Sequence, residues 1–169
     1  MDKSIITLGR NVAELRDALG LSQKDFALLA NISRTTLVNI ESGRNNFKIG
    51  SLDGILNFVS MSLEELSMST FHPPIDLREN LTAKYKGNTE ISVILAKEPS
   101  IPYCIKYKLL KTDFLDKPRE TQEISKFINI KFGWVVKGNS LHAALKRIPE
   151  HVNLLPHPSK KATNVYIRK

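Results

Sequence analysis

Three observations predict a mainly α fold that closes on a small β-ribbon. Residues 22–44, SQKDFALLANISRTTLVNIESGR, spell two short capped helices with a tight turn between them. Residues 100–148 carry apolar side chains at helical spacing in successive runs, and residues 152–169 hold two strand-like runs, VNLLP and NVYIRK, around a basic loop, HPSKKAT.

The first stretch is built from local rules. Ser22 is placed as an N-cap, its hydroxyl accepting an otherwise orphaned amide of the first turn, with Asp25 at the capping-box position. Leu21 and Phe26 flank that cap as a hydrophobic staple. The helix runs through Ala30, and Asn31 ends it in the left-handed region that Asn tolerates better than other residues with a Cβ. Ile32, Ser33 and Leu37 repeat staple and cap, so a second helix starts only about three residues later. Gly43 closes it. Ala27 is small, which is read as what lets the two helices approach.

Leu37 and Ile40 are expected to face inward with Ile32, which leaves Arg34, Thr35, Thr36, Val38 and Asn39 on the outer surface. Arg can bond guanine O6 and N7 together, Asn can do the same to adenine, and Thr offers a hydroxyl and a methyl. Any one of these residues alone is equally an ordinary polar helix face. Their grouping after two capped helices is what favours reading DNA in the major groove. Leu28 is expected to point away from the core. It is either a scattered surface leucine or a contact with a partner chain or the other domain.

Residues 4–68 resemble the phage-repressor (XRE) type of helix-turn-helix domain, a bundle of five helices. The resemblance is carried by LGRNVAELRDALGLSQ, the turn ANIS, the helix RTTLVNIESG and the trailing SLDGILNFVSMSLEEL. It implies that Gln23 holds a phosphate and braces the third helix, and that Ser33, Arg34, Thr35, Thr36 and Asn39 lie at the DNA, with Arg34, Thr35 and Asn39 meeting base edges. It also implies a structural ion pair between Arg16 and Glu41, and backbone phosphate contacts from Arg44, Asn45 and Asn46. Phe47 stands where a proline is common in that family.

Charge divides the chain. Residues 1–70 carry 7 basic and 8 acidic side chains, residues 71–99 carry 4 of each, and residues 100–169 carry 14 basic and 5 acidic. The whole excess of +8 therefore lies in the last segment, as expected of a second polyanion-binding surface. His72-Pro73-Pro74 breaks the chain after the first domain. Between the domains, a helix over LRENLTAKYK with a capping box from Asp76 and Glu79, and another over TEISVILAKE capped by Asn88, are expected to form a helical connector over residues 71–99.

From Ser100-Ile101-Pro102 a helix is expected with Ile105, Leu109 and Leu110 on one face. A second is expected to begin at Asp116-Lys117-Pro118, with Ile124, Phe127, Ile128 and Ile130 as its apolar stripe and Gly133-Trp134 at its end. A third, in KGNSLHAALKRI, takes Asn139 or Ser140 as N-cap, buries Leu141, Ala144, Leu145 and Ile148, and stops at Pro149. Helix, helix, helix and a two-stranded ribbon with a basic tip resemble a winged-helix domain over residues 100–169. That resemblance implies a DNA face of Asn139, Ser140, His142, Lys146 and Arg147, with Lys160 and Lys161 on the wing. Protein contact is the other common use of such a scaffold.

The function classes narrow accordingly. No run of about 18 apolar residues is present to span a membrane, and MDKSIITLGR has no signal-peptide core. Cys104 is the single cysteine, so no internal disulfide is possible, which suits a reducing cytoplasm. No CxxC, HExxH or glycine-rich phosphate loop appears, and His142, His151 and His157 match no strong zinc spacing. No metal, cofactor or enzyme activity is expected. The expectation is a cytoplasmic, nucleoid-associated transcriptional regulator, a repressor, that grips double-stranded DNA with two unlike modules. Such regulators commonly act as dimers on half-sites one turn (~34 Å) apart. The alternative is an antitoxin-like or adaptor protein that binds DNA with its N-terminal domain and a protein partner with residues 100–169. Single-stranded RNA binding is the weakest option, because the aromatics sit at core-type positions.

Overall fold

The computed structural model describes residues 3–44, 47–48, 50–161 and 163–169. The chain divides into two compact units, Met1–Pro99 and Ser100–Lys169.

In the first unit, α1 (Lys3–Ala18), α2 (Gln23–Leu29), α3 (Arg34–Glu41), α4 (Gly50–Val59) and α5 (Leu63–Ser67) form the bundle. Leu8, Val12 and Leu15 repeat at the spacing of one helix face and are buried with Phe26, Leu37, Ile40, Ile55 and Leu66. Burying each such side chain stabilises by about 1.5–3 kcal/mol, so this face holds α1 against the others. The buried amide of Asn11 donates to Leu66 O (2.7 Å) and Met68 O (2.8 Å), satisfying carbonyls at the end of α5. Ala27 is buried as expected, but the tightest helix approaches lie at glycines. A Cβ at Gly9 would overlap Ile40 O, and one at Gly54 would overlap Ala30 O.

Residues 71–99, expected as a connector, fall within this first unit. They form α6 (Leu77–Lys84) and α7 (Thr89–Leu95), which bury Leu77, Leu81, Ile94 and Leu95. The Arg78 guanidinium is buried and donates to Leu19 O, Leu95 O (2.6 Å) and Lys97 O (2.7 Å). Tyr85 donates to Phe58 O (2.9 Å) and stacks on the Phe58 ring. Asn88 caps α7 as expected. The Asp76 cap does not form, because its backbone (φ −110°, ψ 35°) lacks the extended geometry that aims a side chain at the first turn.

The second unit opens with α8 (Ile101–Tyr103), which runs into a π-helical turn at Cys104–Lys108 and 3-10 turns at Leu109–Lys111 and Phe114–Asp116. Strand β1 (Arg119–Glu120), α9 (Thr121–Phe132), α10 (Gly138–Leu145), β2 (Val152–Pro156) and β3 (Asn164–Arg168) follow. The sheet order is β1-β3-β2, antiparallel, with Glu120 opposite Val165 and Leu154 opposite Tyr166. This is the order of a winged-helix-like module, with a short strand ahead of α9. Its core joins Ile105, Leu109, Leu115, Ile124, Ile128, Leu141, Leu145, Ile148, Val152 and Tyr166 around a buried Cys104. Burial pushes the Cys104 thiol up to about 12.

Four expectations for this unit are corrected. The long helix starts at Thr121, not near Asp116, because residues 119–120 pair with β3 and Glu120 with Glu123 forms the capping box. Ile130 is 84% exposed: it lies about 200° around the helix from Ile128. Ala144, expected buried, packs only partly buried against the core. Neither Asn139 nor Ser140 is the N-cap of α10. Lys137 holds that position without a side-chain bond, and the helix begins at Gly138.

Candidate nucleic-acid interface

The polar edge of α3 depends on two caps and a left-handed residue. Ser22 Oγ accepts from Asp25 N (3.1 Å), and Ser33 Oγ accepts from Thr36 N (3.0 Å). Between them Asn31 takes φ 53°, and Gly43 at φ 66° ends the segment. Leu37 and Ile40 are fully buried, which fixes the rotation of α3. Ser33, Arg34, Thr35 and Arg44 are exposed, whereas Gln23, Thr36 and Asn39 are half-buried. Among the described residues no hydrogen bond or ion pair occupies the side chains of Arg34, Thr35, Asn39 or Arg44. Ser33 and Thr36 bond one another (2.8 Å). Asn45 and Asn46 lie outside the described residues.

Beneath this edge sits the expected ion pair. Arg16 Nε donates to Glu41 Oε1 at 2.6 Å, while Gln23 Nε2 donates to Glu41 Oε2 at 2.8 Å. Arg16 also donates to Asp17 Oδ1 (2.8 Å) and Leu21 O (3.2 Å). Burial works against its charge, yet the bond to Glu41 and the nearby Asp17 carboxylate raise its pKa above the ordinary guanidinium value. Three helices are thus tied at one carboxylate, so α3 presents its outer side chains from a braced support.

Residues 12–66 match the family described as helix-turn-helix, about a third of the chain. They form a helix-turn-helix domain of the XRE-like type. No curated protein and no solved structure matches the chain. The helix-turn-helix domain gives the protein a DNA-binding, regulatory role and DNA as a partner.

In the second unit the polar residues are less free. Asn139, Ser140, Lys146, Arg147 and Lys161 are exposed and unpaired among the described residues. His142 is half-buried, its Nδ1 bonded to the Tyr166 hydroxyl and its ring edge-on to that of Tyr166. Lys160 is ion-paired to Glu120 Oε1, an oxygen that also lies 3.3 Å from His157 Nε2. The Lys160 ammonium holds the Glu120 carboxyl below the ordinary carboxylate range. His157 Nδ1 accepts from Ser159 N and Lys160 N, both at 3.1 Å, and shapes the tip of the ribbon. Glu120 escaped the sequence reading. Its signal was the Glu120-x-x-Glu123 spacing, which marks a helix start. Among the described residues no group of three or more metal-ligating side chains gathers, and no helix is long and apolar enough to cross a membrane.

Proposed function

We propose that the protein is a sequence-specific double-stranded DNA-binding transcriptional repressor that uses two modules and acts as a homodimer. The observation that carries this reading is the edge of Arg34, Thr35 and Asn39, whose side chains make no bond among the described residues, on a helix fixed by the Arg16–Glu41–Gln23 cluster. Rigid presentation suits base readout, since an unpaired side chain loses no internal bond when it meets a base edge. Gln23 and Arg44 supply backbone contacts beside it, and Asn45 and Asn46 are further phosphate contacts in this reading. Asn139, Ser140, Lys146, Arg147 and the wing cations Lys160 and Lys161 form the second contact in this reading, supported by the basic excess of residues 100–169.

Footprinting the full chain on genomic fragments tests it. Protection of discrete sites is expected, and Lys146→Ala with Arg147→Ala should shorten the protected stretch. A chain that protects no duplex overturns the proposal.

A second reading, an adaptor whose C-terminal unit holds a protein, is favoured by the internal engagement of His142 and Lys160. A footprint and affinity unchanged in the Lys146/Arg147 variant would favour it.

A further inference from the structure

The tip of the ribbon closes on one imidazole. His157 Nδ1 takes the amides of Ser159 and Lys160, each at 3.1 Å, and lies 3.4 Å from Ser159 Oγ. Its Nε2 faces Glu120 Oε1 at 3.3 Å, and the same oxygen holds the Lys160 ammonium. Both side chains are largely shielded, His157 at 16% exposure and Glu120 at 20%. Backbone N–H groups only donate, so Nδ1 is an acceptor and the proton of the neutral ring sits on Nε2, facing the carboxylate.

That arrangement suits one protonation state. An imidazolium has two N–H donors and no acceptor. A proton on Nδ1 would face two N–H groups, so both amides lose their partner, and Ser159 Oγ is the acceptor left within reach. On the other side of the ring, the added charge strengthens the hold of Nε2 on Glu120 Oε1, for which Lys160 competes. Other charged or titratable groups on the neighbouring elements are engaged elsewhere or exposed. Arg119 of β1 bonds Glu123 and lies over the Phe114 ring, His142 of α10 bonds Tyr166, and Arg168 of β3 pairs with Asp116. Strand β2 carries no charged residue, and Lys161 is exposed.

We propose that His157 is a proton-operated latch on the ribbon tip. Neutral, it holds the backbone at 159–160 in place with Lys160 on Glu120. Protonated, it drops both amides, keeps the Glu120 oxygen and releases the Lys160 ammonium. One positive charge is gained and a second is freed at the same tip. The consequence for phosphate rests on the DNA reading above; the latch itself does not.

The test follows the full chain, ¹⁵N-labelled, by NMR as pH is lowered; with four histidines the ring signals are assignable by substitution. At neutral pH His157 should show the Nε2–H tautomer, with the Ser159 and Lys160 amides protected from exchange. As His157 takes up its proton, both protection factors should fall at least about ten-fold in the same step, and the Lys160 side-chain signals should shift with them. His157→Asn, whose Oδ1 accepts without titrating, should keep both amides protected and lose the step, whereas His157→Ala should lose protection at every pH. An Nδ1–H tautomer at neutral pH, amides indifferent to the titration, a ring that stays neutral until the protein unfolds, or a step retained in His157→Asn would each overturn the proposal. On duplex DNA the slope of log affinity against log salt should steepen below the step by about 0.9 per freed cation, and should not do so in His157→Asn. Spectra as expected with an unchanged slope would remove the tip from DNA and leave the latch standing.

Discussion

The two units carry their polar residues in opposite ways. In the helix-turn-helix domain the support and the base-reading edge are separate sets of side chains: Arg16, Glu41 and Gln23 bond one another, while among the described residues the side chains of Arg34, Thr35 and Asn39 make no bond inside the protein. In the winged-helix-like unit the sets overlap, since His142 is held by Tyr166 and Lys160 by Glu120. A cation already paired gives up an internal partner when it meets phosphate, so it adds less to affinity than its charge suggests. Basic content therefore overstates the binding surface of the second unit, whereas the near-neutral first unit holds its readers free.

The sharpest way to break this contrast is Glu41→Ala, which leaves Arg16 and Gln23 facing an empty position. A loss of about 3 kcal/mol of stability is expected in urea denaturation, and DNA affinity should fall although no base-reading side chain is touched. Next in size, Arg34→Ala should cost about 1–3 kcal/mol in binding and relax preference at one base pair, as read by a panel of single-base operator variants, with stability unchanged. Uniform weakening on all sequences would remove Arg34 from base readout. Smaller still, Lys161→Ala should make the slope of log affinity against log salt shallower by about 0.9, and Lys160→Ala by less than that. Equal effects would mean that Glu120 gives up its lysine freely. The smallest effect concerns Cys104. Its thiol is raised in the folded state, so folding excludes the thiolate, and stability should decline as pH rises past about 8.5, where the unfolded thiol ionises. Cys104→Ala should flatten that alkaline limb, and alkylation of the intact protein at mildly alkaline pH should proceed only as fast as the protein opens.

What was legible in the sequence was local. Caps join residues about three apart, so Ser22, Ser33 and the turn at Asn31 could be read directly. Helical periodicity likewise gave Leu37, Ile40, Ile124, Ile128, Leu141 and Leu145 to the core. What was missed involves partners distant in sequence. The pairing of Arg119 with Tyr166 takes residues that looked helical into a strand, and the same geometry brings Glu120 to Lys160. Gly9 and Gly54 are small because of Ile40 and Ala30, and no nearby residue signals either contact. The Arg16–Glu41 pair is just as distant, and it was anticipated only because the resemblance to repressor-type domains implied it.

Arg78 changes what counts as the smallest stable piece of the first unit. Its guanidinium bonds a carbonyl just past α1 and two others at the end of α7. Peeling α7 away would take two of those carbonyls from a buried guanidinium, at several kcal/mol. Helices α6 and α7 are therefore bound into the same cooperative unfolding event as the DNA-binding bundle, and a chain cut after residue 70 would begin by exposing the apolar seam they cover.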